Sequence, residues 1–403
     1  DCAVVHADVE NTSAFECSNP AINWIYDAFI RTQLSNMHCG IPSDCPHIER
    51  KGYTGDGQLT CETVLNLLDA QTFYRKWLYD IFDCQDRKSG HVQYTAPYTH
   101  CGGGPGGWGG AIIEVPYVYY KIFGDKSVLS EFLPSMLRYF EYLEAHSEKG
   151  LIVSDQPGEW CLGDWATAEK IAIPEPYING YFYIKYLGRM VEIAKLLDSE
   201  DLALSLEKHR DEKIRVLLDK YYDSKSGNFA GNVQGANLFA VDLNLGDERA
   251  FEHVVDFYSK YGMFDAGIFG TDLLIKLLFE RGHGDLAVKL LSSEGKYSFG
   301  NWKNQGATTL WEHWDGDRSL SHPMFGAVVR YFFYYILGIR QAPNSAGWEK
   351  IIVEPHLYDT IDWATGHLTT PRGLVGINYG RDDKGIRLTV TRESDADVTL
   401  IFE

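Results

Sequence analysis

A series of amphipathic segments along most of the chain is the feature that most constrains its fold. The first segment starts at Ser18-Asn19-Pro20, a capping residue followed by proline at the first helical position. Its apolar residues, from Ile22 to Ile30, recur with the spacing of one buried helix face. Ten comparable segments are predicted at residues 62–83, 111–123, 127–146, 176–198, 200–221, 235–245, 248–260, 268–281, 284–293 and 322–337.

The pattern changes near the C-terminus. Gly338 is followed by several helix breakers between Pro343 and Gly347. Beyond them apolar residues alternate with a period of two, as in Ile386-x-Leu388-x-Val390, and glycine and aspartate turns separate the alternating runs. The last 60 or so residues therefore predict a small β domain.

This order of elements predicts a mainly α fold that ends in a β domain. Eleven or twelve helices in about 320 residues, joined by aromatic and glycine-rich loops, favour a toroid of helical hairpins over a bundle of fewer, longer helices. We predict a helical domain at residues 15–340 and a β domain at residues 341–403. Residues 1–14 are predicted to be a connector or a single strand.

Composition and charge exclude several classes of protein. Of the 403 residues 45% are hydrophobic and 23% are charged, which is typical of a soluble globular protein. The 37 basic and 56 acidic residues give a net charge of −19, so we expect neither a nucleic acid nor an anionic membrane as a partner. No apolar run approaches the roughly 20 residues of a spanning helix, and the first eight residues lack a signal-peptide pattern. We therefore expect a soluble chain and assign no compartment.

The densest polar segment, residues 41–58, contains the three carboxylates Asp44, Glu49 and Asp56. Five prolines and glycines interrupt it, so we predict a shaped loop rather than a helix. Apolar neighbours such as Tyr53 indicate that the loop is partly buried. Half-buried carboxylates held close together acquire unequal pKa values, as general acid and base catalysis requires.

A second carboxylate, Glu312, lies between Trp311 and Trp314 just before a turn. This pattern is unusual for a solvated surface and for a packed core, and it suits an acidic group in an aromatic sugar-binding cleft. A carboxylate that only caps the turn is the alternative. The segment from Asp315 lacks the glycine and glutamate of a calcium-binding loop, so no metal site is expected there.

Weaker candidates lie in three further segments. Asp164 and Trp165 could contact a sugar or could simply belong to a turn with a surface tryptophan. His322 could bind a sugar hydroxyl or could simply be the residue at the start of a predicted helix. Trp108 lies in a glycine run that lacks the ending of a phosphate-binding loop, so no nucleotide or other cofactor is expected. None of the eight cysteines forms a CxxC pair, which argues against structural zinc and favours buried thiols, with one or two disulfides still possible.

Two long motifs resemble the signatures of the α-L-rhamnosidases of glycoside hydrolase family 78. The first is Asp44-Cys-Pro … Glu49-Arg … Gly52-Tyr-Thr-Gly-Asp-Gly-Gln58, and the second is Gly306-Ala-Thr-Thr-Leu-Trp-Glu312-x-Trp-Asp315. Both occur in the family's order. Further similar segments are Ser321-His322 … Phe325-Gly326, Gly282-His283 … Leu286-Ala287 and Thr370-Pro-Arg-Gly373.

The resemblance implies an (α/α)6 six-hairpin barrel followed by a C-terminal antiparallel β-sandwich. Family members also carry β domains ahead of the barrel, so residues 1–14 resemble the last strand of such a domain and the chain resembles a trimmed protein. Tyr53 stands where the family usually has tryptophan, and Gly110 stands where many members have aspartate. Both departures predict an altered pocket for rhamnose or a related deoxysugar.

The resemblance also implies a carbohydrate substrate, a rhamnosyl glycoside or polysaccharide, from which terminal α-L-rhamnose is released by inverting hydrolysis, and it implies roles for individual residues. Glu49 would be the general acid and Glu312 the general base, with Asp56 as the alternative acid. Asp44 and Asp56 would accept hydrogen bonds from sugar hydroxyls, and His322 and Asp164 would add polar contacts. The rings expected against the sugar are Tyr53, Trp108, Trp165 and Trp311.

Two other functions remain compatible with the sequence. One is a different reaction on the same toroid, either by a glycosidase for another sugar or by a polysaccharide lyase, which would need a Tyr/His pair and a cation beside the substrate carboxylate. The other is a sugar-binding relative without catalysis. The net charge and the presence of both Glu49 and Glu312 favour the hydrolase.

Overall fold

The computed structural model describes residues 5–99, 101–152, 161–383 and 385–401. The helices in chain order are α1 (Pro20–Ser35), α2 (Thr54–Leu67), α3 (Gln71–Asp83), α4 (Gly106–Gly109), α5 (Ala111–Phe123), α6 (Ser127–Ala145), α7 (Glu175–Leu196), α8 (Glu200–Tyr221), α9 (Ala236–Asp242), α10 (Glu248–Tyr261), α11 (Ile268–Glu280), α12 (Gly284–Leu291) and α13 (Phe299–Asn304). A 3₁₀ turn (Ala230–Gly235) precedes α9, and a 3₁₀ segment (Met324–Val329) and a π-helical segment (Phe332–Ile336) complete the helical region.

Six of these segments form the closed inner wall of a toroid. Each contacts the next in the order α2, α5, α7, α9, α11 and Met324–Val329, and the last contacts α2 again. The helices α1, α3, α6, α8, α10 and α12 alternate with them along the chain and form the outer layer. The toroid of helical hairpins predicted from the sequence is confirmed.

Burial distinguishes the two layers. In α2 every residue except Leu59 and Glu62 is buried, whereas in α10 only Ala250, Phe251, Val254 and Tyr258 are buried. An outer helix therefore needs one apolar stripe, and an inner helix is enclosed on almost all sides. Because each outer helix returns the chain, the inner helices run in the same direction and their N-terminal ends meet at one end of the barrel.

Two local predictions differ from the structure. The segment predicted as one helix at 62–83 is two helices, because residues after Leu67 leave the helix to bond with the N-terminal region: Asp69 donates its N–H to Glu10 O (2.9 Å). The loop predicted at 41–58 ends earlier than expected, since α2 begins at Thr54 despite its glycines. Asp56 thus lies in the first turn of α2, where a negative charge is favourable.

The C-terminal region forms two β-sheets. The strands are β1 (Ser13–Cys17), β2 (Ile339–Gln341), β3 (Lys350–Val353), β4 (Trp363–Thr370), β5 (Gly373–Asp382), β6 (Gly385–Ser394) and β7 (Asp397–Leu400). One antiparallel sheet has the order β1-β4-β5-β6, and the other has the order β7-β3-β2. The β7–β3 pair is parallel, an exception to the antiparallel pattern expected from the sequence. Three two-residue hairpins, Met37–His38 with Ile41–Pro42, Ser147–Glu148 with Leu151–Ile152 and Tyr222–Asp223 with Asn228–Phe229, lie in the helical region.

Strand β1 joins the start of the chain to this β region. It pairs with β4 from Ser13 opposite Leu368 to Cys17 opposite Ala364. Phe15 of β1 packs against Phe332 and Phe333 of the π-helical segment. The strand therefore crosses the predicted boundary at residue 14 and connects the sheet to the barrel.

Two features bear on membranes and cysteine pairing. In the described residues, no helix is long and apolar enough to cross a membrane. The seven cysteines of the described ranges, from Cys17 to Cys161, form no disulfide with one another, and Cys2 lies outside those ranges.

Candidate active site

The loops that lead into the inner helices meet at one end of the barrel and carry the residues singled out from the sequence. The loop before α2 contributes Asp44 and Glu49, and α2 itself contributes Asp56. The long loop before Met324–Val329 contributes Glu312 and His322. Residues separated by more than 250 positions are thereby brought together.

His322 lies between two of the carboxylates. Its Nε2 is 2.8 Å from Asp56 Oδ1, and its Nδ1 is 3.6 Å from Glu312 Oε2. The imidazole is only 4% exposed. Burial favours its neutral form, but the charges of Asp56, Glu312 and Asp44 outweigh burial and raise the pKa of His322. The imidazole ring therefore lies between Asp56 and Glu312, with one ring nitrogen facing each carboxylate.

Asp44 is the most deeply buried of the carboxylates in this group. Its Oδ1 accepts a hydrogen bond from Lys51 N–H (2.8 Å), and its Oδ2 has no hydrogen-bond partner among the described residues. Burial, together with the nearby charge of Asp56, raises the pKa of Asp44 to about 7. A buried oxygen without a partner can accept a hydrogen bond from a substrate hydroxyl.

Glu312 is positioned by its own loop. Its Oε2 accepts a hydrogen bond from Ser319 N–H (3.2 Å), and its backbone N–H donates to Ser319 O (2.9 Å). His313 Nε2 lies 3.9 Å from Glu312 Oε1. The side chain is 16% exposed, so the carboxylate is both fixed and reachable from the mouth of the barrel.

Glu49 is exposed on the loop before α2. Its backbone N–H donates to the buried Cys45 Sγ (3.2 Å), and Arg50 follows in the left-handed conformation (φ 54°). Asp44 is bonded to Lys51 in the same loop. The loop is therefore held at both ends of Glu49, while the Glu49 side chain remains in solvent.

The rings predicted to contact sugar differ in accessibility. Tyr53 and Trp165 are half-buried, and Trp165 lies edge-on to His313 with centroids 5.8 Å apart. Trp108 and Trp311 are almost fully buried. A Cβ on Gly55 would lie 2.5 Å from the Trp108 ring, which explains a glycine inside α2. Trp108 and Trp311 are therefore less accessible to a sugar than Tyr53 and Trp165.

Gly110 has a similar packing reason. A Cβ there would lie 1.8 Å from the Tyr186 ring, so the aspartate of many family members would require Tyr186 to move.

The structure gives Asp164 a role different from the predicted sugar contact. Its carboxylate is fully buried and accepts hydrogen bonds from the N–H groups of Gly267 (2.8 Å), Phe269 (2.9 Å) and Gly270 (3.3 Å). These groups lie at the start of α11, whose first N–H groups have no partner within the helix. Burial raises the pKa of Asp164 to about 7. Asp164 therefore caps the N-terminus of α11, and we do not include it among the substrate-binding residues proposed below.

Sequence reasoning missed Ser319 and His313. Ser319 contacts Glu312 through its backbone N–H, and the type of a residue does not indicate such a contact. His313 follows Glu312 directly in the sequence, and this adjacency was a signal that could have identified it. His313, Asp315 and Asp317 place three potential metal-ligand atoms within 4.8 Å of one another, and His313 Nδ1 is 2.8 Å from Asp317 Oδ1. His313 therefore contacts both Glu312 and Asp317.

Two family models match the chain. The bacterial alpha-L-rhamnosidase 6 hairpin glycosidase domain matches residues 10–336, and the bacterial alpha-L-rhamnosidase C-terminal domain matches residues 338–401. Together they cover both the toroid and the β region.

Known relatives agree with the family models. The chain is 27% identical to an alpha-L-rhamnosidase of Streptomyces avermitilis over 96% of its own length and 38% of the relative, and 28% identical to one of Formosa agariphila over 99% and 45%. The solved structure of the Streptomyces avermitilis alpha-L-rhamnosidase complexed with L-rhamnose matches with a TM-score of 0.90 and 26% identity, over 98% of this chain and 39% of that one. The chain spans less than half the length of these curated relatives. It belongs to the bacterial α-L-rhamnosidase family, with the six-hairpin glycosidase domain followed by the family's C-terminal domain.

Proposed function

We propose that this chain carries the catalytic site of an inverting α-L-rhamnosidase. Glu49 protonates the glycosidic oxygen as the bond to the anomeric carbon breaks, and Glu312 takes a proton from the water that attacks that carbon from the opposite face. Inverting glycosidases place the two carboxyl groups about 6.5–9.5 Å apart, which leaves room for the water. The products are rhamnose of inverted configuration and the free alcohol.

The observation that carries the proposal is the arrangement around Glu312. Ser319 N–H donates to Glu312 Oε2 at 3.2 Å, and His322 Nδ1 lies 3.6 Å from the same oxygen, so the carboxylate is held in place to deprotonate a water. The partial exposure of Glu312 gives that water access. The family match over residues 10–336 supports the same assignment.

The surroundings of Glu49 and Asp56 favour Glu49 as the acid. Asp56 Oδ1 is already engaged by His322 at 2.8 Å, and the residue is buried. Glu49 is exposed and makes no side-chain hydrogen bond within the described residues, so it is free to meet a leaving group. Asp56 then serves to hold His322 and to bind substrate.

The charge of the site disfavours the lyase alternative. Asp44, Asp56 and Glu312 lie around His322, so the carboxylate of a uronic acid would face three acidic side chains and one histidine there. A neutral deoxysugar meets no such repulsion. The same carboxylates would instead accept hydrogen bonds from its hydroxyls.

The first test is hydrolysis of p-nitrophenyl α-L-rhamnoside, with the product anomer followed by NMR. We expect the wild type to release the inverted anomer, and Glu49→Gln and Glu312→Gln each to lower kcat by about 10²- to 10⁴-fold, since each loses one proton-transfer group. Glu248→Gln, an exposed glutamate on α10, is the control and should keep full activity.

Three outcomes would contradict parts of the proposal. Activity that survives in Glu312→Gln would exclude Glu312 as the base. Activity that survives in Glu49→Gln but is lost in Asp56→Asn would move the acid to Asp56. A folded wild type that is silent on this substrate would point to another sugar or to a sugar-binding protein, which a panel of aryl glycosides and a binding measurement would separate.

A further inference from the structure

A cavity of about 310 Å³ lies beside the candidate active site. It is lined by the seven consecutive residues 165–171, which precede α7, and by residues 313–315. His313 is shared with the active site, because its Nε2 is 3.9 Å from Glu312 Oε1. Its ring also meets the edge of Trp165. The cavity is therefore separated from the proposed base by a single side chain.

The walls of this cavity are fixed by contacts with other loops. Gln234 Nε2 donates to Lys170 O (3.1 Å), and Gln234 Oε1 accepts from Ala172 N–H (2.9 Å). Ala168 N–H donates to Asp265 O (3.2 Å). The carboxylate of Glu169 accepts a hydrogen bond from Tyr297 OH. A pocket that is already ordered binds a ligand without the entropy cost of ordering its loops.

The chemistry of the lining suits a sugar. Trp165 offers a half-exposed flat ring, Lys170 offers an exposed amine, and the carboxylate of Asp315 can accept hydrogen bonds from hydroxyls. His313 Nε2 is buried and makes no hydrogen bond within the described residues. An apolar surface with a few placed polar groups is typical of small-ligand sites, and the volume is at the small end of their range.

The charges of the lining favour a neutral ligand. Two carboxylates, Glu169 and Asp315, and the amine of Lys170 line it, and Lys296 lies close enough to both carboxylates to interact with them. These two acidic and two basic groups nearly balance, so the cavity offers little attraction to a charged ligand, and a neutral hydroxylated ring needs none.

We propose that this cavity binds a second, neutral sugar unit of the substrate, linked to the rhamnosyl unit that is cleaved. This inference rests on the proposed function and adds that the natural substrate is an oligosaccharide or polysaccharide rather than a rhamnoside of an aromatic alcohol. The second unit is either the leaving sugar or a sugar attached to the rhamnose ring, in which case the released product is that disaccharide rather than free rhamnose. The cavity would recognise either sugar through the same ring surface and hydroxyl groups, and the experiment below shows which of the two occupies it.

The test compares three substrates that share one rhamnosyl unit. α-L-Rhamnosyl fluoride has a leaving group too small to reach a second subsite. Methyl rhamnosyl-glucoside places a glucose on the leaving side, and glucosyl-rhamnosyl fluoride places it on the rhamnose ring. The variants are Ala168→Phe, which fills the cavity, and Lys170→Ala, which removes the amine, with the exposed Lys260→Ala on α10 as the control.

We expect Ala168→Phe to lower kcat/KM about tenfold or more on one of the two longer substrates, since a lost contact in a specificity pocket is worth 10- to 200-fold. The substrate affected identifies which side the second sugar occupies. Lys170→Ala should lower the same value, while all variants hydrolyse rhamnosyl fluoride within about twofold of the wild type.

Two results would overturn the inference. Equal losses on all three substrates would mean that the substitutions act on the active site itself, and unchanged kinetics on both longer substrates would mean that the cavity binds no sugar of the substrate. A wild type that fails on rhamnosyl fluoride would instead defeat the proposed function, and this inference with it. Circular dichroism of each variant checks its fold, and Lys170→Ala, a surface change, remains informative if Ala168→Phe does not fold.

Discussion

Asp164 and Glu312 show how two similar patterns in a sequence acquire different roles. Each is a carboxylate beside tryptophan in a glycine-punctuated loop, and both were predicted to face a sugar. The Asp164 carboxylate accepts hydrogen bonds from the N–H groups of Gly267 and Phe269, more than 100 positions away. The Glu312 side chain, by contrast, remains partly exposed. The local sequence predicts that each carboxylate has a specific structural or functional role. Contacts with residues distant in the chain determine which of the two roles it has.

The capping role of Asp164 predicts a loss of stability rather than of chemistry. Asp164→Ala leaves three buried N–H groups of the α11 start without an acceptor, which should lower the free energy of unfolding by about 3 kcal/mol. Urea unfolding measures this change. Asp315→Ala, at an exposed position, is the control and should change it by about 0.5 kcal/mol or less. A folded Asp164→Ala protein with wild-type stability would contradict the capping role.

Asp44 predicts a dependence of stability on pH. Its pKa of about 7 in the native state exceeds its ordinary value of 3.8, so between these values the native protein binds more protons than the unfolded chain. The contribution of Asp44 to stability is therefore full at low pH and decreases as the pH rises from about 4 to about 7. Asp44→Asn cannot titrate, so its free energy of unfolding, from urea curves at pH 4 to 8, should fall less steeply. Parallel curves for the two proteins would exclude the raised pKa.

At the level of elements, the sequence predicts the bounds of most helices, inner ones such as α5 included, but not those of α2. Outer helices such as α10 carry the apolar stripe that periodicity detects, while α2 is buried on nearly all sides and starts in a glycine-rich motif. The break after Leu67 has no local signal, because it depends on the bond from Asp69 to Glu10 O. The motif with Asp56 was therefore recognised as functional although its helix was not.

The glycine of that motif gives a test of packing in α2. Gly55→Ala should gain helix propensity worth up to about 1 kcal/mol but lose about 1–3 kcal/mol from overpacking, since its Cβ would lie 2.5 Å from the Trp108 ring. We expect a net decrease in the free energy of unfolding and a changed tryptophan fluorescence spectrum. Gly188→Ala in α7 is the matched control, because its Cβ meets nothing closer than Arg210 Cδ at 4.0 Å, and it should increase stability. Stabilisation by both substitutions would contradict the packing argument.

At the level of the whole molecule, the barrel and the β region share a core. The alternation after residue 350 predicted the C-terminal strands, but nothing local indicated that Ser13–Cys17 would pair with Trp363–Thr370. The strand is short, and its partner follows some 350 positions later. Only the closure of the toroid brings the two ends of the chain together.

Phe15 connects these parts and supplies the last prediction. Its ring lies 5.4 Å from that of Phe332, 5.7 Å from that of Phe333 and 6.0 Å from that of Tyr26, so it joins β1 to α1 and to the π-helical segment. Phe15→Ala should lower the free energy of unfolding by about 3–5 kcal/mol. Because sheet and barrel share this contact, we expect urea curves from tryptophan fluorescence and from far-UV circular dichroism to shift together as one transition. The exposed Ile386→Ala, on β6 of the same sheet, is the control and should change stability by about 0.5 kcal/mol or less. Two separate transitions in the wild type would show instead that the β region unfolds independently of the barrel.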